Sequence, residues 1–144
     1  DSQAQIDSLE DARELEYHLR LQQQKRAVLD PVGERDGGTL AGRLFQCATA
    51  HGARSLGVGG GELRAGSSAD FFTVDMKDVS VAGSGAAELL PMVVFGMNRT
   101  ALRDVVVNGQ MIVRDRVHAM QDEIVGQYRE VHERVWRDAP RQSV

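Results

Sequence analysis

The chain has 144 residues, 42% hydrophobic and 26% charged, with a net charge of −4. That is globular composition, long enough for one compact domain or a piece of a larger one. The acidic balance argues against a nucleic-acid or acidic-membrane binder, because such partners select a concentrated basic footprint and Lys25-Arg26 is too short to make one. A single cysteine excludes an internal disulfide and any CxxC metal knuckle. No apolar run reaches the length of a membrane span, and Asp1-Ser2-Gln3 carries no basic start or apolar signal core. These features point to the cytoplasm. Asp1 stands first with no methionine before it, so processing, cutting or unrepresented upstream residues are all open.

In chain order, Ser8 is read as the cap of a first helix. Leu9, Ala12, Leu15 and Leu19 recur at helical spacing, and the pattern continues to about Leu29. Asp30-Pro31 ends it, since a residue before proline is driven out of helical geometry. The stretch from Gly33 to Gly38 reads as a loop. Thr39 caps a second helix expected to run to Leu56, with Gly57 as its stop and Leu40, Leu44, Ala48 and Leu56 as its apolar face. Gly59-Gly60-Gly61 lacks the Gly-Lys-Ser/Thr of a phosphate loop and is read as a turn into a sheet.

The period then changes. Asp70 to Asp75 is short, aromatic and β-branched, which predicts a buried strand. Gly83 to Gly85 breaks the chain, and Ala86 to Phe95 is an apolar short helix containing Pro91. Val105-Val106-Val107 and Met111-Ile112-Val113 flank Asn108-Gly109, which predicts a hairpin on a type I′ turn. Met120, Ile124, Tyr128, Val131 and Val135 form one stripe of a closing amphipathic helix, with Trp136 as its last bulky anchor and a frayed tail from Ala139. Two helices, about three strands and a closing helix make an uncomfortable free-standing domain, so the apolar faces need something else to pack on.

The chemistry is thin. His18, His51, His118 and His132 form no HxH, HExxH or i,i+4 histidine pair. His18 and His132 read as surface residues, His51 as a neutraliser of carbonyls at the end of the second helix, and His118 as a loop residue. Cys47, beside Phe45 and Ala48, reads as a buried structural thiol. Gly83-Ser84-Gly85 is a linker, and no GxSxG elbow exists for a nucleophilic serine.

Three ordered segments nevertheless carry a resemblance. Gly61 to Asp75 is similar to the "G-x-L-x-x-G-x-x-A-D-x-x-x-x-D" return found in the amidohydrolase superfamily. Val94-Phe95-Gly96 with Arg103 to Gln110 resembles its closing hairpin and V-x-V-N-G turn, and Ala48 to Gly57 resembles its "T-x-x-x-A-x-x-L-G" helix. Asp1-Ser2, Leu15-Glu16-Tyr17 and Arg20-Leu21 look like the formimidoylglutamate deiminases, with His18 standing where glycine is common.

The resemblance implies an α/β fold: the last part of a (β/α)8 barrel, the C-terminal strands of a flanking β-sandwich, and a closing helix. The implied divisions are 1–57 for the barrel end, 58–115 for the sandwich part, and 116–144 for the helix and tail. It implies hydrolysis of N-formimino-L-glutamate to N-formyl-L-glutamate and ammonia, in histidine degradation. A divalent metal, usually zinc, activates water there. Asp1 is the implied catalytic residue and metal contact, at the mouth of barrel strand eight. The other ligands would lie upstream, so the segment alone is expected to be inactive; its partners would be the upstream barrel portion, a small-molecule substrate and a possible second copy in a homodimer. Two other readings stay open: a deaminase of guanine, adenosine-type or chlorotriazine-like rings, and a non-catalytic assembly module.

Overall fold

The computed structural model describes residues 6–32 and 38–137. They form five α-helices, one 3₁₀ turn and a four-stranded sheet. The first helix, α1 (Ser8–Gln23), starts one residue earlier in its capping than the sequence suggested. Asp7, not Ser8, is the cap, and its Oδ1 accepts the amides of Leu9 and Glu10, each at 3.1 Å. Both residues are good caps, and only the backbone decides which is used.

The expected run of α1 to Leu29 is also corrected. It stops at Gln23, where Gln24 turns left-handed at φ 51°. The next residues, Lys25-Arg26-Ala27, retain helical propensity, but a tertiary interaction overrides it. The fully buried Glu16 carboxylate accepts the amides of Val28 and Leu29, each at 2.9 Å, and pulls that segment back along the helix.

The second expected helix is two. Helix α2 (Leu40–Ala48) is capped by Thr39, as the sequence indicated, and helix α3 (Ala50–Ser55) follows a break at Thr49 (φ −125°, ψ −100°). Thr49 Oγ1 donates back to the Phe45 carbonyl at 2.7 Å. The bent backbone makes room for Gly61: a Cβ there would lie 2.6 Å from the Ala50 nitrogen. Gly57, left-handed at φ 70°, follows α3 as expected.

Helix α4 (Ala86–Phe95) matches its sequence expectation and holds Pro91 within it. Ala12 of α1, Ala41 and Leu44 of α2, and Val94 of α4 form the helical core, with Leu29, Leu40, Phe45 and Phe95 packed around them.

The sheet is an antiparallel meander of β1 (Phe71–Val74), β2 (Leu102–Val107), β3 (Gln110–Arg114) and β4 (Val117–His118). Asn108 (φ 48°) and Gly109 (φ 76°) make the expected turn, with Val107 facing Gln110. The fourth strand was not expected. It follows a second tight turn, in which Asp115 (φ 48°) and Arg116 (φ 69°) are both left-handed without glycine.

The last helix, α5 (Gln121–Arg137), forms as expected, but every residue in it is exposed. Among the described residues no helix is long and apolar enough to cross a membrane.

Candidate functional site

Asp1, the residue given the catalytic and metal-contact role by resemblance, lies outside the described residues. What the structure does give is the framework that begins six positions later. The Asp7 carboxylate caps α1 with Oδ1 and reaches Arg99 with Oδ2, 3.3 Å from Nε. Arg99 opens the 3₁₀ turn Arg99–Ala101 that leads into β2, so one carboxylate ties the start of the first helix to the entry of the sheet. Partial burial tends to raise the Asp7 pKa, but the Glu10 amide, the Arg99 guanidinium and the Leu9 amide outweigh it and hold the group below its usual range.

Glu16 is the second fixed carboxylate. Arg20, one turn on, meets its Oε1 at 2.7 Å while Val28 and Leu29 donate their amides. Burial pushes this pKa up, yet Arg20 and the two amides prevail and lower it. Glu16 and Arg20 are two of the residues in the deiminase-like run, and their work here is to close the return after α1. The sequence offered that signal as a motif but did not reveal its physical use.

The sheet signatures are likewise mutual locks. Asp70 accepts the Asn108 amide, and Gly109 donates to the Ala69 carbonyl at 3.0 Å. Asp75 receives Arg116 Nη2 at 2.6 Å, and Arg116 Nε bonds the Thr100 carbonyl at 2.7 Å. The Lys77 amide and Arg116 lower the Asp75 pKa. Asp104 takes the Thr73 hydroxyl at 2.8 Å and the Asp115 amide at 3.0 Å.

Helices and sheet enclose an open concavity of about 1580 Å³, lined by Leu15, Phe45, Leu90, Phe71 and Val107 among others. Ordinary small-molecule pockets hold roughly 300–1,000 Å³ and converge polar groups on the ligand. This one is larger and chiefly apolar, and Leu15, Phe71, Leu90 and Val107 on its wall are exposed. It has the character of an unfinished core. Cys47 is half-buried on its wall, not enclosed as expected.

The histidines do not converge. His18 is exposed against the Glu14 carbonyl at 2.8 Å, and His132 lies between Tyr128 and Trp136. His51 is the second residue of α3, at the start of that helix rather than near the end where the sequence put it. His118 lies in β4 rather than a loop, and its Nδ1 accepts the Met120 amide at 3.1 Å. Among the described residues no group of three His, Cys, Asp or Glu gathers to hold a metal ion. These residues do not fit a metal centre by themselves.

Residues 1–112 match the amidohydrolase family. The chain is 36% identical over 123 residues to a formimidoylglutamate deiminase of Pseudomonas aeruginosa, covering 85% of this chain and 26% of that protein. It is 32% identical over 94 residues to an S-triazine hydrolase of Gordonia rubripertincta, covering 63% of this chain and 19% of that protein. Among solved structures, an adenosine deaminase of Xanthomonas campestris with bound zinc superposes with TM-score 0.72 at 20% identity, over 90% of this chain and 28% of that one. An amidohydrolase of Brucella melitensis superposes with TM-score 0.67 at 27% identity, over 88% and 27%. The chain thus spans about a fifth to just over a quarter of the length of these proteins, and its mixed α/β fold is shared with part of the two solved structures. With the family match running through α1, the break at Thr49 and the Asn108-Gly109 hairpin, this chain belongs to the amidohydrolase family.

Proposed function

We propose that the protein carrying this chain hydrolyses a C–N bond, and that its reaction is deimination of N-formimino-L-glutamate. Water adds to the formimino carbon, the bond to the terminal nitrogen breaks, and N-formyl-L-glutamate and ammonia leave. The observation that carries this reading is the 36% identity to a formimidoylglutamate deiminase across most of the chain.

In this reading, residues 1–57 close a metal-dependent barrel, 58–115 belong to its flanking sandwich, and 116–144 are an appended helix and tail. Asp1 supplies a carboxylate that contacts a divalent metal, zinc by preference, and moves the proton from water to the leaving nitrogen. The remaining ligands come from an upstream portion of the protein. The apolar concavity is the seat of that portion, because its volume and lining suit protein side chains better than a polar substrate.

A second reading is favoured by the S-triazine hydrolase similarity: the substrate is an aminated or halogenated ring. Turnover by the full-length protein of N-formimino-L-glutamate, set against adenosine and guanine by ammonia release and against a chlorotriazine by release of both ammonia and chloride, decides between them. Turnover of the formimino compound at least a hundredfold above the rings is expected. Preferential turnover of a ring would overturn the first reading.

A further inference from the structure

The chain holds two asparagines, Asn98 and Asn108, and only Asn108 is followed by glycine. The carboxamide carbon of an asparagine and the backbone nitrogen of the next residue can close a five-membered ring. Both reacting atoms belong to one chain, so no second molecule has to be brought to them. Glycine leaves that nitrogen unscreened: a Cβ on Gly109 would meet no atom within 4 Å. Asn98 is followed instead by Arg99, whose side chain branches from the atom next to the nitrogen.

The fold restrains the reactive pair. Ring closure requires rotation about the Asn108 Cα–C bond, which swings the Gly109 nitrogen towards Cγ. That nitrogen donates to the Ala69 carbonyl at 3.0 Å, and the Asp70 carboxylate accepts the Asn108 amide. The turn is thus held at both of its left-handed residues by the two positions that lead into β1. The nitrogen must also lose its proton before it attacks, and that proton is the one it shares with Ala69.

We propose that Asn108 is a latent site of deamidation, and that the grip of Ala69 and Asp70 on the turn keeps it from reacting. In the reaction the Gly109 nitrogen gives its proton to a solvent base and bonds to Asn108 Cγ. The Cγ–Nδ2 bond breaks, and ammonia leaves with a proton taken from water. A water molecule then opens the cyclic imide at one of its two carbonyls. Opening at Cγ leaves aspartate at position 108. Opening at the main-chain carbonyl leaves isoaspartate, whose backbone is longer by one carbon. Nothing is oxidised or reduced. Either product puts a negative charge on the residue whose amide Asp70 holds, and like charges this close repel. Isoaspartate also lengthens the turn that sets Val107 opposite Gln110.

The test keeps the full-length protein at neutral pH and physiological temperature. Position 108 is followed by peptide mapping that separates aspartate from isoaspartate, with Asn98 as the internal reference. A short peptide spanning 105–111 gives the unrestrained rate. Folded wild type is expected to convert at least tenfold more slowly than the peptide, and Asp70→Ala at least tenfold faster than wild type. Asp7→Ala, which weakens the fold away from this turn, should stay within threefold of wild type. Simple unfolding of Asp70→Ala would mimic the expected gain, so hydrogen exchange is read on the unmutated protein. There the Gly109 amide should exchange at least tenfold more slowly than in the peptide. The proposal is overturned if wild type converts as fast as the peptide, or if Asp70→Ala is no faster than wild type. Asp7→Ala matching Asp70→Ala overturns it as well, because global unfolding would then set the rate. So does a Gly109 amide that exchanges as freely as in the peptide.

Discussion

The Asp70 side chain accepts the backbone N–H of Asn108, 38 positions away, and so binds the start of β1 to the turn between β2 and β3. Two sequence signatures that look independent on paper are one contact in space. The Ala69-Asp70 pair grips the Asn108-Gly109 pair from both its carbonyl and its carboxylate.

The turn therefore offers a direct test. Gly109 has φ 76°, so Gly109→Ala forces an L side chain into left-handed geometry and should destabilise the protein by about 1 kcal/mol. Urea denaturation of the full-length protein reads this as a lower midpoint with an unchanged slope. No loss of midpoint would mean the turn is not held as described.

Glu16 gives a larger effect. Glu16→Ala leaves the Val28 and Leu29 amides without their acceptor and Arg20 without its partner, at a cost of about 3 kcal/mol. Its pKa in the fold is lowered from 4.5, so the unfolded chain binds the proton more readily. The contribution is thus full above about pH 4.5 and fades as pH falls through the lower folded value. The gap between wild type and Glu16→Gln, followed by urea midpoints from pH 7 downward, should narrow below pH 4.5. A gap independent of pH would refute the assignment.

Asp7 separates two interactions on one side chain. Asp7→Asn keeps the cap and loses the ionic contact with Arg99, whereas Asp7→Ala loses both. The alanine variant should lose about 1–2 kcal/mol, and the asparagine variant less than 1, since a partly exposed ion pair is screened. A double-mutant cycle with Arg99→Ala isolates the difference.

Asp1→Asn tests the proposed chemistry. In the full-length protein kcat should fall by about 10²–10⁴-fold, in line with loss of a positioned acid–base group. An unchanged kcat on the best substrate would remove Asp1 from the mechanism.

How far the chain could be read in advance follows from how local each cause is. Thr39, Gly57, Asn108-Gly109 and the span of α4 act through their own neighbours, and they stand where the sequence put them. The misread elements depend on distant partners. Gln24 ends α1 because Glu16 captures amides twelve and thirteen residues on. Asp115-Arg116 turns without glycine because Arg103 and Asp104 hold Asp115 while Asp75 and Thr100 hold Arg116. The site is least legible of all, since Asp1 takes its role from a family resemblance and has no local pattern of its own that marks it.

Gly61 rests on the peptide linking Thr49 to Ala50, closer than any methyl group could come. The bend and the glycine are therefore two halves of one joint. Straightening the helices would close the space Gly61 occupies, and enlarging Gly61 would lever α3 away from its seat. Substitutions at these two places should be tolerated only as a matched pair, which makes a deep mutational scan across positions 49, 50 and 61 a search for compensation rather than for single permitted residues.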